Sequence, residues 1–212
     1  MRFGALEAGG TKMVCAIGTE DGRILEQVSI PTETPEITMP KLLAYFQDKE
    51  IAALGIGCFG PVDLDFRSET YGHILMTPKL AWRGYDICGY FRENLKIPVG
   101  FDTDVNGSML GESTWGCAKG LDTAIYITVG TGVGVGVLVG GKLLHGMQHP
   151  EGGHMRIPAR EDDAYPGKCP SHGHCLEGLA AGPAIEERWG AKGTALAEKP
   201  EVWELETHYL AY

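Results

Sequence analysis

An α/β fold of two related lobes is predicted by three features of this sequence. Strand-like runs alternate with helical stretches through its first half, the order expected of a sheet covered by helices. A turn rich in glycine and threonine lies between two strand-like runs at Glu7-Ala8-Gly9-Gly10-Thr11-Lys12, and again at Thr128-Val129-Gly130-Thr131-Gly132-Val133-Gly134, so both halves open in the same way. Hydrophobic residues make up 43% of the 212, enough for a packed core in one large domain or two small ones.

Taken in order, residues 2–8, 13–18 and 24–30 are short apolar or alternating runs, divided by Gly9-Gly10 and by Glu20-Asp21-Gly22-Arg23. They read as an antiparallel three-stranded meander. Residues 39–49, with Leu42, Leu43, Tyr45 and Phe46, follow a helical pattern, and 52–58 return to strand composition. A short strand at 99–101 precedes a helix at 104–115 that carries Met109, Leu110 and Glu112. The second set of strands runs through 123–129 and 133–139, then turns at Gly140-Gly141 into 142–144. The boundary is expected between 118 and 121, giving an N-terminal lobe at 1–120 and a second lobe at 121–212. Residues 202–212 form a helical stretch with Val202, Leu205 and Leu210 and no C-terminal stop signal. The expectation is therefore a fragment of something longer, its second lobe short of at least one helix and a strand.

A formal charge of −10 argues against a general affinity for nucleic acid or anionic membrane, since both require a basic face. Small molecules are the expected partners. There is no charged leader followed by an apolar core and no apolar run of about 18 residues, so a cytoplasmic location is expected. Six cysteines are too few for a disulfide scaffold. Cys15, Cys58, Cys88 and Cys117 lie among apolar or small residues and are expected to be reduced, in or near the core, whereas Cys169 and Cys175 sit among Pro, His and Gly.

The two glycine-threonine turns form a candidate phosphate clamp, because glycine lets backbone N–H groups approach an anion and threonine adds hydroxyl donors. The residues concerned are Gly9, Gly10, Thr11 and Lys12 in one turn and Gly130, Thr131 and Gly132 in the other. Phe101-Asp102-Thr103-Asp104-Val105-Asn106 places carboxylates and an amide between a strand and a helix, where clefts of α/β proteins open. A general base belongs at such a rigid strand end. The alternative is that Thr103 or Asp104 caps the helix. Glu151-Gly152-Gly153-His154 follows a loop with His145 and His149, and its mixed donors and acceptors suit a polyhydroxylated substrate.

Cys169-Pro170-Ser171-His172-Gly173-His174-Cys175 has the composition of a metal knuckle. Zinc takes four soft or borderline ligands in a tetrahedron; Cys169, His172 and Cys175 supply three and His154 the fourth, with His174 competing for the histidine place. Four protein ligands make a structural site with no zinc-bound water. Glu177, at the start of a helix following Cys175, is expected to be delivered to the pocket of Glu151 and His154.

These residues carry a family resemblance over the whole chain. It rests on Glu7 to Lys12, residues 57–63 (Gly-Cys-Phe-Gly-Pro-Val-Asp), Asp104-Val105-Asn106, Gly130-Thr131-Gly132, Glu151 to His154, and the knuckle through Glu177. The chain resembles the ROK sugar kinases, most closely their bacterial fructokinase branch. The resemblance implies an actin-like, ribonuclease-H-like ATPase fold of two lobes with a cleft, binding ATP, Mg2+ and a hexose, with Zn2+ structural. It implies phosphorylation of D-fructose to fructose 6-phosphate with Asp104 as general base. Gly60, Thr103, Asp104, Asn106, Glu151, His154 and Glu177 would meet the sugar, the two turns would hold the phosphates, and a homodimer is implied. Relatives usually have aspartate at the place of Glu7 and an amide at that of Thr103. Two other functions are weighed: a non-catalytic fragment of such a kinase, and a sugar-responsive regulator, for which this chain lacks a helix-turn-helix ahead of its first strand.

Overall fold

A computed structural model describes all residues from 1 to 212. The chain divides into two compact units, one of residues 1–124 with 137–149 and the other of 125–136 with 150–212.

The first unit opens on the expected meander, β1 (Arg2–Ala8), β2 (Lys12–Thr19) and β3 (Ile24–Pro31), all antiparallel. Helix α1 (Pro35–Gln47) then returns the chain so that β4 (Leu54–Cys58) pairs parallel with β1. Helix α2 (Ile87–Leu95) leads to β5 (Val99–Thr103), parallel to β4, and α3 (Asp104–Thr114) follows at once. The five-stranded sheet has the order β3-β2-β1-β4-β5. Strand alternation decides its faces: Leu6, Met13, Cys15, Ile17, Leu54, Ile56, Cys58, Val99 and Phe101 point into one core, which Met39, Leu42 and Phe46 of α1 and Ile87 and Phe91 of α2 complete. Phe46 and Phe91 meet edge to face at 6.0 Å, joining the two helices.

Two details differ from expectation. Helix α1 starts at Pro35 rather than 39, because Thr34 is extended and Pro35 supplies a preset φ at a helix start, where its missing N–H costs nothing. Cys117 is exposed, with its N–H on the carboxylate of Glu112, whereas Cys15, Cys58 and Cys88 are buried as expected. Burial pushes the Cys15 thiol up to about 12 and the Cys88 thiol to about 11, so both stay protonated.

Strands β6 (Ala124–Val129), β7 (Val133–Val139) and β8 (Lys142–Leu143) form a second sheet in that order, and the division between the units falls within β7. In the second unit, α4 (Leu176–Ala180), α5 (Gly182–Trp189) and α6 (Pro200–Leu210) pack around Leu176, Leu179, Leu205 and Tyr209. Arg188 of α5 is buried there, 3.2 Å from Asp163, 3.4 Å from Glu206 and stacked over the Tyr165 ring. No helix is long and apolar enough to cross a membrane.

Candidate functional site

In the first unit the turn between β1 and β2 is tied back through its carbonyls. Thr32 donates its N–H to Thr11 O at 3.0 Å and its hydroxyl to Gly9 O at 2.7 Å, while Thr11 and Lys12 remain exposed. Carbonyl dipoles that would repel an anion are thus engaged. Lys79, which the sequence reading missed, lies against Gly10, its Cε 2.9 Å from where a Cβ would stand. Nothing local in sequence marks it, because a long irregular segment brings it there.

Asp104 is the first residue of α3, directly after β5. Thr103 takes the cap: its Oγ accepts the Asn106 N–H at 3.2 Å, so Asp104 is not the capping residue. Asp104 Oδ1 accepts the Val105 N–H at 2.9 Å. Gly57 of β4 packs closely on this junction, since a Cβ there would sit 3.2 Å from the Asp104 Cα. Asn106, expected to meet substrate, is fully buried and donates its side-chain amide to Asp102 Oδ1 at 2.8 Å. Asp102 also accepts the Thr103 N–H at 2.7 Å and faces His145 Nε2 at 2.7 Å. One carboxylate therefore braces the strand end, the helix start and the loop that carries His145. His149 of the same loop accepts the Val62 N–H at 3.2 Å, and Gly60 is half-buried in that neighbouring segment. Both histidine contacts lie far apart in sequence and were not legible in it.

In the second unit the turn between β6 and β7 is tight, with the Gly130 N–H on the Gly132 carbonyl at 2.8 Å and Thr131 exposed at its tip. It borders a cavity of about 590 Å³ lined by Pro183, Lys192, Trp203 and Glu206 among others, within the range of small-molecule sites. Glu151 is exposed with φ of 49°, and the turn Gly152–His154 follows it directly.

His154, Cys169, His172 and Cys175 bring their ligand atoms within 4.8 Å of one another. Cys169 Sγ is 3.7 Å from His154 Nδ1 and 3.6 Å from His172 Nδ1, and Cys175 Sγ is 3.7 Å from His154 Nδ1. A tetrahedron with bonds of about 2.0–2.3 Å has edges of roughly 3.3–3.8 Å, so these separations fit zinc. His174 is turned away, its Nε2 2.9 Å from Tyr165 O, and is not among the four clustered side chains. Cys175 Sγ accepts the Gly178 N–H at 3.3 Å, a contact that supports a thiolate ligand. Glu177 lies at this cluster, its Oε1 3.9 Å from His154 Nε2.

The ROK family model matches residues 3–206. A relative from Bacillus subtilis is 54% identical over 209 residues, covering 99% of this chain and 70% of its own. A protein of Streptococcus mutans serotype c named fructokinase is 42% identical, covering 99% of this chain and 72% of its own. Among solved structures, a ROK family glucokinase from Streptomyces griseus in complex with glucose and AMPPNP superposes with a TM-score of 0.73 at 29% identity, covering 95% of this chain and 63% of that one. The chain thus spans between 63% and 72% of the length of these three.

Proposed function

Because the chain belongs to the ROK family, we infer that it takes part in ATP-dependent phosphorylation of a hexose, D-fructose to fructose 6-phosphate, with Asp104 as general base. The observation that carries this reading is the placing of Asp104 at a braced strand end, in a chain so similar to a fructokinase. A base must be held within hydrogen-bond reach of the proton it removes. The Asp102 contacts to Asn106, Thr103 and His145 fix the backbone from which Asp104 projects.

Asp104 takes the proton of the sugar's primary hydroxyl, the oxygen attacks the γ-phosphorus in line, and ADP leaves. Thr11 and Lys12 on one turn and Thr131 on the other meet the phosphates, with Lys79 adding positive charge. The nucleoside end enters the cavity beside Gly130 and Thr131. Magnesium bound with ATP supplies neutralisation of phosphate charge. Sugar hydroxyls are met by Gly60, Glu151, His154 and Glu177, while buried Asn106 and capping Thr103 support Asp104 from behind. Zinc on His154, Cys169, His172 and Cys175 supplies a fixed position for His154 and the backbone around it. A homodimer remains an expectation of the family.

A second reading, compatible with the length comparison, is that these 212 residues fold without turning over ATP. Replacement of Asp104 separates mechanism from binding. Asp104→Asn is expected to lower kcat by on the order of 10²–10⁴-fold with nucleotide affinity retained. An unchanged kcat would remove Asp104 from the mechanism.

A further inference from the structure

The turn at residues 130–132 is held at three points, and each hold starts from the Cys/His cluster. Glu177, two residues beyond Cys175, accepts the Val133 N–H through Oε2 at 3.1 Å, while its Oε1 faces His154 Nε2 at 3.9 Å. Gly153, the residue before His154, packs so closely on Val133 that a Cβ there would strike the Val133 carbonyl. Gly182, reached from Cys175 through the short helix α4, donates its N–H to the Gly130 carbonyl at 2.8 Å. Backbone leaving the cluster therefore sets the position of both ends of the turn.

A carboxylate that accepts a backbone N–H makes a charge-assisted hydrogen bond, stronger than a neutral one. A metal-bound histidine, in turn, commonly has its second nitrogen oriented by a carboxylate. Glu177 accepts the Val133 N–H through Oε2, and its Oε1 faces His154 Nε2 at ion-pair range, 3.9 Å, rather than at hydrogen-bond distance. With His154 Nδ1 turned to the two thiols, its Nε2 is the nitrogen left for Glu177. A shift of His154 on loading or loss of a metal would reach Val133, the residue immediately after the turn, through this carboxylate.

We propose that Glu177 is a positioning residue that couples the metal cluster to the phosphate turn, so that a loaded cluster tightens nucleotide binding even when no sugar is present. The proposal rests on the assignment of this turn to phosphate made above. It gives Glu177 a task distinct from any contact with sugar hydroxyls. By linkage, bound nucleotide raises the affinity of the cluster for zinc by the same factor.

The test is ADP affinity by titration calorimetry, without sugar, for wild type, Glu177→Ala and Glu177→Gln, each zinc-loaded and chelator-treated. Zinc removal is expected to weaken ADP binding to the wild type by roughly tenfold. Glu177→Ala is expected to weaken the loaded protein by a similar factor and to abolish most of the further effect of zinc removal. Glu177→Gln, whose amide oxygen still accepts the Val133 N–H, is expected to keep most of the affinity. Equal losses on zinc removal in wild type and Glu177→Ala overturn the coupling, as does a loaded Glu177→Ala protein that binds ADP like the wild type. Should circular dichroism show that the stripped protein loses its fold, the three loaded proteins decide the matter alone. A loaded wild type that binds no ADP removes the phosphate assignment itself, a result distinct from the others.

Discussion

Glu206 is a buried carboxyl whose acidity is strongly displaced. It is 4% exposed, its Oε1 faces Arg188 at 3.4 Å, and its Oε2 has no hydrogen-bond partner. Burial pushes its carboxyl up to about 7, against the pull of Arg188. A carboxyl whose folded pKa lies above its unfolded value of 4.5 favours the fold fully below that value, and this contribution is lost as pH rises through about 7. Glu206→Gln should therefore melt like the wild type near pH 4.5 and several degrees higher at pH 8, of order 2–4 °C for each kcal/mol of relief. Melting curves of the two proteins at both pH values check this; identical shifts at the two would contradict it. Residues of this kind are hidden in the sequence. The place of Asp104 at a helix start and the convergence of the four Cys and His side chains were legible because short spacing and local composition signal them. Glu206, Lys79 and the Asp102–His145 pair acquire their chemistry only when distant segments meet.

Among the elements, the knuckle at 169–175 has little apolar material of its own. Its backbone is pinned by the Gly173 N–H on Cys169 O and by Leu176 N–H on Met155 O, both at 2.9 Å. Side chains of four residues converge there, so an ion bound among them would link the turn Gly152–His154 to α4. Zinc that binds only the folded form adds its binding free energy to stability. Metal analysis of chelator-free protein should find one zinc per chain, and chelation should lower the melting temperature by several degrees or more; protein that holds no zinc and melts unchanged with chelator would refute the cluster's role. The meander, α3 and the β6–β7 turn could be read in advance because alternation and turn residues are local signals. Helix α2 could not. It is nine residues long, and its start is signalled only by Asp86 accepting the Gly89 N–H, after a stretch with no sustained periodicity.

At the scale of the whole molecule, the chain has the actin-like ATPase fold of the ROK sugar kinases it matches. Each unit contributes candidate groups of its own: Asp104, its Asp102 brace and one glycine-threonine turn in the first, and the other turn, its adjoining cavity and the Cys/His cluster in the second. The two turns were legible because the motif occurs twice, once in each half of the sequence. The allotment of residues 137–149 to the first unit was not, since the contacts of His145 and His149 with Asp102 and Val62 link positions far apart in the chain. The central claim is sugar-dependent phosphoryl transfer, and it is tested most directly by ADP release from MgATP by the zinc-loaded chain with D-fructose in excess. The account predicts release well above the sugar-free rate, with fructose 6-phosphate formed in equal amount. Release that is the same with and without D-fructose, with no sugar phosphate formed, would contradict it.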